Sequence, residues 1–162
     1  MLTKVEKTVT IATHQNDRKE VAKQLTLLLA DTYALYLKTQ NFHWNVKGTH
    51  FPVLHLMFEK QYQELAAAVD EIAERLRALG SQAPGSFSEF LELTSLEEAQ
   101  GEIPAGGMIE KLMHDHERLA RSTQAMCSQA EEANDQASLD LFTERMRAHE
   151  KTAWMLRSTL ED

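Results

Sequence analysis

The stretch from Pro52 to Leu79, PVLHLMFEKQYQELAAAVDEIAERLRAL, decides the architecture. Leu54, Met57, Phe58, Gln61, Leu65, Val69, Ile72, Leu76 and Leu79 recur at helical spacing and predict one long helix with a single inward stripe. Pro52 suits the first turn, where its missing amide hydrogen costs nothing, and Gly80 supplies a terminator. Upstream, a first helix is expected from Asn16 or Asp17, either of which can cap it, to about Trp44. Its inward stripe is Val21, Leu25, Leu28, Leu29, Thr32, Leu35, Tyr36, Thr39 and His43, and the segment from Asn45 to Phe51, with Gly48, makes a tight connection.

Downstream, Ser81 to Gly107 reads as a long crossover in which Phe87 to Leu93 and Leu96 to Gln100 keep short helical patterns. A third long helix is expected from about Met108 to Glu132, with Ile109, Leu112, Met113, His116, Ala120, Thr123, Cys127 and Ala130 inward. After Asn134 and Asp135 a fourth follows, facing inward with Leu139, Phe142, Met146, His149, Ala153, Leu156 and Leu160. A long crossover lets the helices flanking it run parallel, so the expectation is all-α: a ferritin-like four-helix bundle with a short helix in the crossover between the second and third long helices. Residues 1–16 are expected to be a flexible N-terminal arm and 17–162 one domain.

Composition agrees. The 162 residues hold six Gly and three Pro, too little punctuation for an all-β domain, and 43% hydrophobic with 26% charged residues excludes disorder. The net charge of −8 disfavours a uniformly basic nucleic-acid surface and suits attraction of cations. Cys127 is the single cysteine, no signal peptide is visible, and the most apolar run, Leu25 to Ala30, is far shorter than the ~20 residues that cross a bilayer, so a cytoplasmic protein without membrane partners is expected.

The second long helix also carries the chemistry. His55 and Glu59 stand four residues apart, as do Asp70 and Glu74, and the four fall within an arc of roughly 100° on its outer face. His55 and Asp70 are fifteen residues apart, about 22 Å along the axis, so one copy cannot close a site. Two antiparallel copies of this helix around a twofold axis would set His55 and Glu59 of one chain against Asp70 and Glu74 of the other, with Ala66 and Ala73 permitting close approach. Such mixed imidazole and carboxylate donors suit iron(II) and related divalent ions, zinc among them. Taken singly, each pair reads as a surface ion pair or a solvated acidic face, and His43 as a core histidine. No Glu-x-x-His occurs, so His116 and His149 read as core or hydrogen-bonded histidines; in His114-Asp115-His116 neighbouring residues do not share a helix face. Cys127 reads as packing.

With Asn41-Phe42-His43-Trp44-Asn45, Gly48, Leu54-His55 and Asp70-Glu71-Ile72-Ala73-Glu74-Arg75 at this spacing, the chain resembles the Dps family of miniature ferritins over essentially residues 17 to 160. One departure is Glu59, where many relatives use Asp. The resemblance implies a hollow homo-dodecamer with ferroxidase sites at twofold interfaces. There His43, His55 and Glu59 of one subunit and Asp70 and Glu74 of the other bind iron, which is oxidised from iron(II), preferentially with hydrogen peroxide, and stored as iron(III) mineral. It further implies that DNA is protected from oxidative damage. Asp135, Asp140 and Glu144 resemble the acidic positions around threefold pores through which iron enters, and a solvated N-terminal helix face is the plainer reading of them. Lys4, Lys7, Arg18 and Lys19 sit where some relatives carry a DNA-binding arm, which leaves a second function class, a structural nucleoid protein that condenses DNA and has a secondary metal site.

Overall fold

The computed structural model describes residues 14–160, which form five helices: α1 (Gln15–Asn45), α2 (Phe51–Ala78), α3 (Phe87–Leu93), α4 (Ala105–Glu132) and α5 (Gln136–Leu160). The expected all-α, ferritin-like arrangement is the one found. Two apolar clusters define the directions of the long helices. One joins Val21–Ala30 with Ile72, Leu76, Met126, Ala130 and Phe142; the other joins Leu35–Val46 with Leu54, Phe58, Leu65, Met108–Leu119 and Leu156. It follows that α2 and α4 run parallel to each other and antiparallel to α1 and α5, the arrangement a long crossover permits. Between the clusters lies a more polar layer, where the Thr32 and Thr123 hydroxyls donate to the carbonyls of Leu28 and Leu119 in their own helices. No helix among the described residues is long and apolar enough to cross a membrane.

The helix ends follow local chemistry. Pro52 sits in the first turn of α2. At its other end Gly80 adopts φ +86°, and the N–H groups of Gly80 and Ser81 donate to Arg77 and Leu76 carbonyls at 3.0 and 3.1 Å, a glycine-terminated helix end. At the start of α3, Ser86 Oγ accepts from the Glu89 N–H while the Glu89 carboxylate accepts from the Gly85 N–H and from Ser86 Oγ.

Three expectations are corrected. First, α1 begins at Gln15 with His14 as its N-cap and no side-chain cap bond, so neither Asn16 nor Asp17 caps it; Asp17 lies in the first turn, where a negative charge meets the positive end of the helix dipole. Second, Leu96–Gln100 is irregular, not helical. The buried Asp31 carboxylate accepts from Thr94 Oγ1, the Ser95 N–H and Ser95 Oγ, while Thr94 Oγ1 accepts from the Leu96 N–H, so the chain leaves α3 extended at Thr94 and is tied to α1 there. Third, α4 starts at Ala105 rather than Met108, taking Gly106 and Gly107 into its first turn, because Pro104 ends the extended chain just before them. At Gly107 a Cβ would stand 3.2 Å from Ile103 Cγ2.

Candidate metal centre

The end of α1 and the start of α2 are joined by a turn in which Gly48 takes φ +111° and accepts the Phe51 N–H at 3.0 Å. This tight reversal brings His43, in the last turn of α1, against His55. The two imidazoles stack with centroids 3.8 Å apart and planes 19° apart. Each also reaches across to the other's backbone: His43 Nδ1 lies 2.8 Å from the His55 carbonyl oxygen, and His55 Nδ1 lies 2.8 Å from the His43 carbonyl oxygen. A carbonyl oxygen only accepts, so both Nδ1 atoms carry hydrogen, and in the neutral rings both Nε2 atoms are left with a lone pair. This is the tautomer in which histidine binds a metal through Nε2, with Nδ1 orienting the ring. Phe51 stacks on His55 at 5.0 Å and Tyr62 meets His43 edge-on at 5.2 Å. His43 is 7% exposed and His55 half-buried.

Glu59 follows His55 by one turn of α2 and is half-buried, while Asp70 and Glu74 are exposed. Because α2 is unbroken from Phe51 to Ala78, the fifteen residues between His55 and Asp70 span about 22 Å. Among the described residues no three His, Cys, Asp or Glu side chains lie close enough to hold one metal ion. The structure thus brings His43 and His55 together and leaves Asp70 and Glu74 far along the same helix.

The remaining histidines have other partners. His116 and His149 are buried in the bundle with their Nδ1 atoms 2.9 Å apart, as the sequence reading of hydrogen-bonded core histidines expects. Burial, and next the nearby Arg145 guanidinium, push His116 down to about 3; burial, then His116 and Arg145, hold His149 well below the usual histidine range. No protein partner reaches their Nε2 atoms, nor Gln61 Oε1 and Arg145 Nε. His114-Asp115-His116 splits three ways, to Glu117 at 3.5 Å, Lys38 at 2.5 Å and His149. Burial raises the Asp115 carboxyl above its ordinary range against the opposing pull of Lys38. Half-buried Cys127 packs with Sγ 3.7 Å from Thr143 Oγ1.

Asp135 is buried. It caps α5 by accepting from the Ser138 N–H and Oγ, and pairs with Arg75 Nη2 at 2.5 Å. Asp140 and Glu144 are exposed one turn apart on α5, with Gln136 donating to Asp140 at 2.8 Å. Lys4 and Lys7 lie outside the described residues; Arg18 is half-buried and Lys19 exposed on α1. Sequence reasoning missed the interhelical ion pairs Arg75–Asp135, Lys38–Asp115 and Arg145–Glu64, and the three-bond Asp31 contact. Only the Asp-x-x-Ser pattern at 135–138 offered a local signal.

The sequence model of the ferritin-like domain matches residues 22–162. Among curated proteins, a low temperature-induced protein of Nostoc sp. is 40% identical over 94% of this chain and 87% of its own length. DNA protection during starvation protein 2 of Bacillus anthracis is 39% identical over 88% of this chain and 97% of its own. Among solved structures, the Dps protein from Vibrio cholerae O1, described as a member of a broad superfamily of ferritin-like diiron-carboxylate proteins, superposes with a TM-score of 0.88. It is 28% identical, over 95% of this chain and all of that one.

Proposed function

This chain belongs to the Dps family within the ferritin-like proteins, and from that premise we propose that it oxidises iron(II) at sites shared by two copies and stores the iron(III) as mineral inside a hollow dodecamer. The observation that carries the reading is the reciprocal Nδ1-to-carbonyl bonding of His43 and His55, which leaves both Nε2 lone pairs free, with Glu59 one turn after His55 on α2. A twofold partner's Asp70 and Glu74 complete the donor set. The description of the Vibrio relative as a diiron-carboxylate protein supports iron as the metal.

In this reading the neutral imidazoles bind iron(II), and the three carboxylates stabilise the higher charge of iron(III) and so favour its formation. Hydrogen peroxide is the preferred oxidant: it takes one electron from each of two iron(II) ions and two protons, and leaves two waters. The exposed carboxylates of Asp140 and Glu144, on a chain of net charge −8, draw cations toward the pores through which iron enters, while Asp135 holds the start of α5 in place beside them. Consuming iron(II) and peroxide together protects DNA in the cytoplasm without requiring the chain to grip it. Lys4, Lys7, Arg18 and Lys19 form a DNA-contacting arm in the alternative reading, and a mobility shift that disappears on deleting residues 1–19 would favour it.

The test is peroxide-dependent iron(II) oxidation by the assembled protein beside a His43→Ala/His55→Ala variant. The proposal expects the variant's protein-dependent rate to vanish; equal rates overturn the assignment.

A further inference from the structure

The chain contains three tyrosines, and all three lie in one row of aromatic contacts that ends on the candidate iron ligands. Tyr62 meets His43 edge to face at 5.2 Å. Tyr36 meets Tyr62 in the same manner at 6.1 Å, and Tyr33 meets Tyr36 at 5.7 Å. Beyond Tyr33 the row closes on Phe90, stacked at 4.5 Å. Gln40 Nε2 donates to Tyr36 Oη at 3.2 Å and holds that ring. Every tyrosine is half-buried in the single chain. Trp44, although next to His43 in sequence, is 61% exposed and joins no ring contact among the described residues.

Edge-to-face packing needs no tyrosine hydroxyl, and phenylalanine would serve it equally. A phenol differs from a phenyl ring in being far easier to oxidise by one electron. The row leads away from the histidines: Tyr33 is ten residues before His43 on α1, about 15 Å along the helix.

Resting on the iron-oxidation reading above, we infer that Tyr62, Tyr36 and Tyr33 form an electron relay that supplies the second electron whenever peroxide meets a site holding a single iron(II). Reduction of hydrogen peroxide to two waters requires two electrons and two protons. One electron comes from iron(II), which becomes iron(III). The other comes from Tyr62, whose phenol becomes a neutral phenoxyl radical and gives up its proton; a second proton comes from solvent. Tyr36 then reduces the Tyr62 radical, and Tyr33 reduces that of Tyr36, each donor losing a proton to water as its acceptor regains one. The unpaired electron comes to rest on Tyr33, away from the iron, and no hydroxyl radical leaves the site.

The experiment uses the assembled protein with far fewer iron(II) ions than sites, one equivalent of hydrogen peroxide per iron, and a nitrone spin trap, with protein adducts located by peptide mass spectrometry and the hydroxyl adduct read by electron paramagnetic resonance. Wild type is expected to carry adducts on Tyr33 and Tyr36. In Tyr62→Phe those adducts are lost although both phenols remain, and trapped free hydroxyl radical rises. In Tyr36→Phe the adduct moves to Tyr62, Tyr33 is unlabelled, and iron(II) oxidation at full loading is unchanged. Adducts on Tyr33 that persist in Tyr62→Phe, or that appear chiefly on Trp44, overturn the relay, because the oxidising equivalent then does not pass through Tyr62. Iron oxidation is followed in the same samples: its absence in wild type, or its indifference to His43→Ala/His55→Ala, refutes the iron-oxidation reading and the relay with it. Normal histidine-dependent oxidation without the Tyr62-dependent labelling refutes the relay alone.

Discussion

Replacing His116 with Leu and His149 with Met removes two imidazoles that the fold keeps neutral. Both folded-state values lie below that of the unfolded chain, so the native state resists a proton that the unfolded state accepts. The stability this neutrality represents is therefore complete above about pH 6.5, the unfolded value, and is lost as pH falls through the window from about 6.5 to about 3. At pH 4.5, two units into that window, His116 alone costs about 3 kcal/mol relative to pH 7, at about 1.4 kcal/mol per unit, and His149 adds a loss of the same sign. The double variant fills similar volume with apolar atoms and strands no polar partner, since the two Nδ1 atoms bond to each other. Guanidinium unfolding followed by circular dichroism, at one fixed subunit concentration, should show wild type losing at least about 3 kcal/mol more than the variant between pH 7 and 4.5. Parallel losses in the two proteins would refute the reasoning.

Three further perturbations follow from contacts between elements. Arg75→Leu leaves the buried Asp135 carboxylate unpaired at the start of α5 and should cost about 3–5 kcal/mol, read from the same unfolding curves; a loss under about 1 kcal/mol would contradict that role. Asp31→Ala removes the acceptor of three hydrogen bonds from Thr94 and Ser95, and hydrogen exchange should quicken at the Ser95 amide while the middle of α1 stays protected; unchanged exchange at Ser95 would argue against Asp31 holding that segment. Phe51→Ala frees one side of the His55 ring at little cost in stability, since Phe51 is exposed, and should weaken iron(II) binding by roughly tenfold in titrations, with an unchanged affinity counting against a positioning role.

The elements were legible because burial and helical spacing coincide. Leu25, Leu28, Leu29 and Leu35 in α1, and Leu54, Phe58, Leu65, Ile72 and Leu76 in α2, are all buried where the spacing places them, and the short helix at Phe87–Leu93 has the expected bounds. Gly80 and Pro52 mark ends whose chemistry is local. What stayed hidden depends on partners distant in sequence. Asp31 meets Ser95 across 64 residues and Lys38 meets Asp115 across 77, and no window of neighbouring residues shows that a buried carboxylate will find its donor. In the candidate site the spacing of His55, Glu59, Asp70 and Glu74 was readable, whereas the ring orientation of His43 and His55 was not. That orientation is set by each imidazole bonding the other's backbone carbonyl across the turn at Gly48.

The central claim is that each iron site takes its histidines from one copy and its distal carboxylates from another. Complementation tests it directly: His43→Ala/His55→Ala subunits are co-expressed in equal amounts with Asp70→Ala/Glu74→Ala subunits. Each variant alone should be inactive. Random pairing makes half of the twofold pairs mixed, and each mixed pair holds one complete site of two, so iron(II) oxidation should return to about a quarter of the wild-type rate. Co-assembled oligomers as inactive as either parent would contradict the shared site.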